Sequence, residues 1–286
     1  MNKKYIFLLI IFSALITLPS FSQSINYNIN DVITSMIRKS REIKTIRYHA
    51  VMNERIKDKM ILKDSYFKIN SEPLKIYVQQ SFVGIKIEGL YVEGWNNNKL
   101  LISTIGFPWI EVSLDPMGSK VRDNHHHTIF EAGYEYFINV IDEIIKKHGD
   151  YINYTNYGFA NVHNKKCYKI GLNVINYKII NYTVKNNENL TSIAKKMLIN
   201  DYKILELNPS ISDYYTVKPG QIIKIPNIYA QKMTLFIDTE TFLPVQIDIY
   251  DEIGLYASYK YLNVIVNQPF DPKEFTVEYK DYHFYR

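Results

Sequence analysis

The chain has 286 residues, 47% of them hydrophobic and 14% aromatic, which supplies one large core plus a small second unit and excludes a disordered chain. The formal net charge of +5 falls to +3 once Lys3 and Lys4 are removed, and this weak balance, with no basic stripe among base-stacking aromatics, excludes nucleic acid as a partner. The single cysteine, Cys167, excludes an internal disulfide and offers no lipid-modified amino terminus; its strand-like setting predicts a packed thiol.

Taken in chain order, Met1 to Ser22 reads as a signal peptide. Lys3 and Lys4 form the positive end, Tyr5 to Leu18 the apolar run, and Ser20 and Ser22 the small residues before the cut. Cleavage is expected between Ser22 and Gln23, giving an exported, soluble protein of the periplasm or cell envelope. The rival, a retained anchor, requires a longer run of about 20 apolar residues. From Asn28 to Thr45 the apolar residues Ile29, Val32, Ile33, Met36 and Ile37 recur at helical spacing, with Asn28 or Asn30 as cap. The period then shortens to that of strands: 47–56, 60–69, 74–80, 85–92, 99–103 and 110–114, separated by turn residues. A second helix is predicted from about Thr128 to Lys147, ended by Gly149. Strands resume at 151–159 and 166–174, and again at 232–237, 243–250 and 257–266. The many Tyr, Phe, Ile and Val side chains suit such half-buried, pleated surfaces.

Between the last two groups of strands lies Tyr182 to Pro226. It opens with Tyr182-Thr183-Val184-Lys185, continues through Leu190 and Ser192-Ile193-Ala194, then Leu205 and Leu207-Asn208-Pro209, and closes with Val217-Lys218-Pro219-Gly220-Gln221 before Ile223-Lys224-Ile225-Pro226. Asn189 is placed to cap a helix whose inner face holds Leu190, Ile193, Ala194 and Met197, and Pro219-Gly220 suits a turn into the last strand. The segment resembles the LysM family over its whole length. The resemblance implies a β-α-α-β module that recognises N-acetylglucosamine glycans, chiefly bacterial peptidoglycan, in a shallow groove between two loops. On this chain the implied glycan-binding residues are Asn187, Glu188, Asn189 and Leu190 in one loop and Asn208, Pro209, Ser210 and Ile211 in the other. Loop backbone would meet the sugar amides, and Leu190, Pro209 and Ile211 would form an apolar wall. No metal or other cofactor is implied. Family members often have Gly-Asp-Thr where this chain has Asn187-Glu188-Asn189; asparagine is among the residues that best tolerate the left-handed backbone such a turn uses. Because a module whose end strands pair brings its termini together, residues 179–228 are expected as an insertion between host segments 23–178 and 229–286.

The host is expected to be α+β, a strongly curved antiparallel sheet or half-barrel with packed helices. Its order of helix, meander, helix and meander, with Ile237-Asp238-Thr239-Glu240-Thr241-Phe242-Leu243-Pro244, resembles the periplasmic lipoprotein-carrier superfamily. Asn53-Glu54-Arg55, Tyr91-Val92-Glu93-Gly94 and Leu114-Asp115-Pro116-Met117-Gly118 carry a closer likeness to an uncharacterised family of secreted bacterial proteins with that carrier-like fold. The resemblance implies an apolar concavity able to hold acyl chains; a filled core is the alternative, and the residue parity facing inward is open.

His125-His126-His127 is the obvious metal candidate, but adjacent residues cannot all point one way and no second ligand cluster is apparent, so a polar loop before the second helix is expected. Glu54 and Arg55 are expected in rim salt bridges, and Asp115-Pro116 with Gly118 in a turn. Hydrolase elbows, zinc-protease motifs, phosphate loops and dinucleotide fingerprints are absent from the sequence. The functional expectation is a non-catalytic envelope protein held on peptidoglycan, its host domain binding a lipid, lipoprotein or protein partner. The alternatives are a wall-active hydrolase targeted by the module and a structural link between wall and membrane.

Overall fold

A computed structural model describes residues 27–82 and 84–285; the expected signal peptide and its cleavage site lie outside the described residues. Asn28 caps helix α1 (Ile29–Arg41), its side chain accepting from the Asn30 amide at 2.9 Å, which satisfies one of the donors a helix start leaves open. Val32, Ile33 and Met36 form its buried face. The helix stops short of the expected Thr45 because the Ile43 amide turns back onto the Ser40 carbonyl.

The first meander contains β1 (Thr45–Ile56), β2 (Lys59–Asn70), β3 (Lys75–Phe82), β4 (Ile85–Val92), β5 (Leu100–Thr104) and β6 (Glu111–Leu114). Its first turn is carried by Lys57 and Asp58, both at positive φ, the geometry whose twist matches a two-residue hairpin. A single turn, α2 (Ser119–Arg122), follows. The next helix, α3 (Glu135–His148), begins later than the expected Thr128. Thr128 and Glu131 instead close a capping box around one 3-10 turn, and Gly133, at φ +86°, redirects the chain. The remaining elements are β7 (Ile152–Val162), β8 (Lys165–Val174), β9 (Ile179–Thr183), α4 (Leu190–Met197), α5 (Asp201–Leu207), β10 (Ile222–Pro226), β11 (Lys232–Asp238), β12 (Pro244–Tyr250) and β13 (Leu255–Val266). Pro244 starts its strand, where a missing amide costs little.

Eleven strands form one antiparallel sheet in the order β6-β5-β4-β3-β2-β1-β13-β12-β11-β8-β7. It is an open half-barrel, and with its helices gives the α+β class expected. The inward parity, open from sequence, is set by packing: Tyr48 and Ala50 of β1, Phe67 and Ile69 of β2, Ile76 of β3 and Tyr259 and Tyr261 of β13 join one core with α1 and α3. Helix α3 contributes Phe137, Ile138, Val140, Ile141 and Ile144, each fully buried side chain adding about 1.5–3 kcal/mol of hydrophobic stabilisation. A charge at Ile141 would be unpaired in this layer. On the convex face the carboxy-terminal segment lies across β3 and β4. There Tyr77, Leu90, Phe275 and Phe284 form a second core, and the Tyr282 ring stacks on Tyr77 at 3.8 Å.

The module has its own core, in which Leu190, Ile193 and Ala194 of α4 and Ile204 of α5 meet Ile223 and Ile225 of β10. Strands β9 and β10 pair antiparallel, with Ile179 opposite Pro226, so the two ends lie side by side. The flanking strands β8 and β11 also pair, Asn173 opposite Lys232. The β-α-α-β order is the one expected.

Candidate functional site

The first module loop is shaped by its backbone. Asn187 sits at φ +61°, the left-handed turn position that asparagine tolerates, and is exposed. The Glu188 carboxylate accepts from the Tyr182 hydroxyl at 2.8 Å, the Lys185 amide at 2.9 Å and Lys196 Nζ at 3.2 Å. Burial works to raise its pKa, and these donors override it and hold the carboxyl below its usual value. Asn189 caps α4 and exchanges hydrogen bonds with Ser192. In the second loop, Asn208 Nδ2 donates to the Ile204 and Lys224 carbonyls, each at 2.7 Å, while its Oδ1 accepts from the Lys224 amide at 2.9 Å. It thereby ties the end of α5 to β10. Pro209 and Ser210 are exposed. The two loops are joined where the Leu190 amide donates to the Tyr214 carbonyl at 2.9 Å.

All eight expected residues lie in these loops, with unequal roles. Asn187, Pro209 and Ser210 present open surface, whereas the polar side chains of Glu188, Asn189 and Asn208 are used in holding the loops. Leu190 and Ile211, expected to wall the groove, are 0% and 7% exposed and fill the module core. The open apolar surface between the loops is therefore Pro209, and the remaining recognition groups are backbone. Tyr182, missed as a functional residue, anchors Glu188.

The module's other side packs on the host. Arg122 lies over the Tyr214 ring, 3.4 Å from its centroid, and donates to Asp201 at 2.5 Å and Thr191 at 2.9 Å. Lys203 reaches Asp251 at 2.7 Å and Glu252 at 2.9 Å. Asp251 also takes a two-pronged contact from Arg55. Burial works to raise the Asp251 pKa, and the hydrogen bonds from Arg55 and Lys203 hold it below its ordinary value. Arg55 is thus not at a rim: it is buried where host meets module. Glu54 is buried as well, paired with Lys63 and accepting from the Tyr259 hydroxyl at 2.7 Å. Its pKa is held well below the carboxylate range, burial being outweighed by the histidines and Lys63 around it.

The histidines likewise differ from the polar loop expected. His126 is buried, its ring sandwiched between Tyr256 at 4.1 Å and Tyr202 at 5.0 Å, its Nε2 2.8 Å from the Arg55 carbonyl. His125 Nδ1 meets Lys63 Nζ at 3.1 Å. His127 bridges Glu131 at 2.9 Å and the Tyr229 hydroxyl at 3.1 Å. The His126 ring is thus set apart from those of His125 and His127, which line a common cavity. Burial pushes the pKa of both His125 and His126 down to about 4, leaving them neutral at pH 7. Among the described residues no three His, Cys, Asp or Glu side chains gather as metal ligands. Cys167 is the packed thiol expected, its pKa pushed up to about 11 by burial. The Asp115 turn forms, its carboxylate accepting from the Met117 amide at 2.9 Å.

Between the concave sheet face and residues 120–137 lies a cavity of about 290 Å³. Met52, Phe67, Val78, Leu100 and Ile102 are among its apolar lining residues, and Glu54, Gln80, His125, His127 and Glu131 among its polar ones. The segment that closes it also touches the module, through Arg122 and through the His126 carbonyl, which accepts from Asn200 at 2.8 Å.

The structure therefore defines a two-part class: an open α+β half-barrel with an internal cavity, joined to a small β-α-α-β module presenting an open loop pair. Residues 182–226 match the LysM domain, and the chain carries one LysM domain at that place. Among solved structures, the chain is similar to the MucA/MucB complex of Pseudomonas aeruginosa at 9% identity and TM-score 0.41, covering 86% of this chain and 59% of that chain. It thus spans about three fifths of that matched chain's length. It is similar to the lipoprotein LppX of Mycobacterium tuberculosis at 11% identity and TM-score 0.39, covering 85% of this chain and 99% of that one. A lipoprotein-sorting protein domain from Vibrio parahaemolyticus matches at 7% identity and TM-score 0.29, covering 86% of this chain and 95% of that one. No functionally curated protein matches the chain.

Proposed function

We propose that the chain is an exported, non-catalytic protein of the bacterial cell envelope that is held on peptidoglycan N-acetylglucosamine glycans by its LysM domain. In this reading residues 1–22 are removed before Gln23, residues 179–228 form the inserted module, and residues 23–178 with 229–286 form the host. The observation that carries the reading is the LysM domain's open loop pair, with Asn187, Pro209 and Ser210 exposed over loops whose other side chains are internally bonded. Preformed backbone donors and acceptors beside an apolar patch suit the amide and ring face of an acetylated sugar. The host cavity, lined largely by apolar residues with polar ones among them, supports binding of the acyl chain of a lipid or lipoprotein. Its ionisable groups are tied to one another, Glu54 to Lys63 and His127 to Glu131, an arrangement that favours holding over turnover.

The test is sedimentation of the full chain with insoluble peptidoglycan. Attachment is expected, with competition by chitin oligosaccharides and with little sensitivity to moderate salt, because the contacts are hydrogen bonds and apolar surface. Ser210→Trp should fill the space between the loops and abolish sedimentation without unfolding. Sedimentation of the Ser210→Trp chain at the original level would overturn the assignment.

A further inference from the structure

The turns β1–β2, β3–β4 and β5–β6 of the meander all lie at one end of the sheet. There the chain displays two exposed aromatic side chains, Phe107 at 81% and Trp109 at 66%, with Ile110 and Ile85 also open. These belong together, because the Ile105 amide donates to the Lys86 carbonyl at 2.8 Å and draws the β5–β6 loop against the β3–β4 turn. The two aromatic rings meet edge to face, their centroids 5.5 Å apart.

The display is held in place from both sides. Inside the loop, the Ile110 amide donates to Thr104 Oγ1 at 2.8 Å and the Trp109 amide to the Gly106 carbonyl at 3.1 Å. From outside, Tyr285 donates its hydroxyl to the Thr104 carbonyl at 2.6 Å and its amide to Glu111 at 2.8 Å. A braced loop that holds two aromatic rings in water gives up burial it would otherwise gain, so the exposed state has an occupant to meet. The charges nearby say which. Lys57, Lys59 and Lys86 are exposed at this end, against Asp58, and Glu111 already accepts from Tyr285. Aromatic rings flanked by aliphatic side chains, with Lys86 beside them and Lys57 and Lys59 further along the same end, suit the interface of an anionic bilayer, where rings lie at headgroup depth and ammonium groups meet phosphate.

We propose that the Phe107–Trp109 tip, with Ile85, Ile110 and Lys86, docks on the surface of a phospholipid membrane. Ile87 and Ile102 line the cavity on the two strands that lead to this tip, so docking places lipid beside the cavity rim. The proposal does not depend on what fills the cavity.

The test uses vesicles of equal parts phosphatidylethanolamine and phosphatidylglycerol. The chain has two tryptophans, and Trp95 lies on the β4–β5 connection at the opposite end of the sheet, so Trp95→Phe leaves Trp109 as the sole reporter. Its emission should shift to the blue with vesicles and be quenched by brominated acyl chains. Phe107→Ser with Trp109→Ser should weaken vesicle flotation by roughly tenfold or more, and Lys86→Glu by a smaller factor, with circular dichroism unchanged because all these side chains are outside the cores. Unshifted Trp109 emission, or undiminished flotation of the double variant, would overturn the proposal. So would a wild-type dimer that the double variant dissociates in the absence of vesicle binding, since the occupant would then be a second copy. Uptake of a fluorescent fatty acid from solution, measured on the same proteins, keeps the readings apart: its loss counts against the cavity's proposed role and leaves the docking result standing.

Discussion

In the proposed reading the module and the host would recognise their ligands in opposite ways. In the module the side chains around the groove are occupied by structure: Asn208 bonds α5 to β10, Asn189 caps α4 and Glu188 gathers Tyr182, Lys185 and Lys196. What it offers a ligand is backbone held in fixed loops. In the host cavity the side chains are the lining, apolar residues such as Phe67 and Val78 together with ionisable ones such as Glu54 and His127. Point changes should therefore act weakly on the first site unless they block it, and strongly on the second. Where the two regions meet, the logic is different again, because buried charges join there with the Tyr202 ring, which packs into the host core.

The largest effect should come from that meeting point. Asp251→Ala leaves Arg55 and Lys203 buried without the carboxylate they share; because Lys203 keeps Glu206 and Glu252, the loss should fall toward the lower end of the about 3–5 kcal/mol that breaking a buried pair from one side costs. Urea denaturation should show that loss, and limited proteolysis should cut within the module sooner. A loss under about 1 kcal/mol would mean the pair is solvated and the module loosely attached.

Acid should act on the same region in two steps. His125 and His126 are buried with pKa values near 4, against about 6.5 in an unfolded chain. Between those values the unfolded chain binds more protons, so this stability is complete above about pH 6.5 and is lost as the pH falls toward 4. The depressed carboxyls of Glu54 and Asp251 act lower, their contribution fading below about pH 4 as each is protonated. The melting temperature should thus fall in two stages on acidification. His126→Gln should shrink the first stage and, by loosening the hold on the Glu54 carboxyl, trim the second, leaving the part that comes from Asp251.

Next come the paired blocking variants that separate the sites. Ser210→Trp should weaken peptidoglycan attachment by at least about tenfold through steric filling of the shallow groove, with fatty-acid uptake unchanged. Met52→Trp, from the cavity wall, should do the reverse. Loss of both activities in either variant would show that the segment shared by cavity and module couples them.

The same contrast governs what could be read from the sequence. The strands followed from alternation and the LysM domain from its motif, because both are local signals. Leu190 and Ile211 were read as groove wall because a loop position says nothing about which way a side chain points; the β-α-α-β packing turns both inward. His125 to His127 looked like a polar loop since the rings that cover His126, Tyr202 and Tyr256, come from distant parts of the chain, one of them inside the inserted module. Glu54 and Arg55 were misplaced for the same reason: Tyr259 and Asp251, which hold them in the interior, both lie beyond the insertion. The carboxy-terminal cover on the convex face had no periodicity to announce it, only aromatic residues whose partners are on β3 and β4.

The smallest predicted effect is the most exacting test of the backbone reading. Asn187 stands at φ +61° and is exposed, so its contribution is conformational. Replacing it with alanine keeps a Cβ but loses asparagine's tolerance of this left-handed backbone, at a cost of about 1 kcal/mol. Glycine removes the Cβ clash and should keep the loop near its present stability, within a few tenths of a kcal/mol, since the gain in the folded turn is offset by greater freedom when unfolded. If the groove recognises sugar through the loop backbone, peptidoglycan attachment should follow the same order, with Asn187→Gly close to wild type and Asn187→Ala weaker by roughly a few-fold. Thermal denaturation and sedimentation measured on the same two variants check both halves. Equal loss of attachment in the glycine and alanine variants, with the loop intact in each, would show that the amide side chain itself touches the glycan and that the module is not the backbone reader its bonding pattern describes.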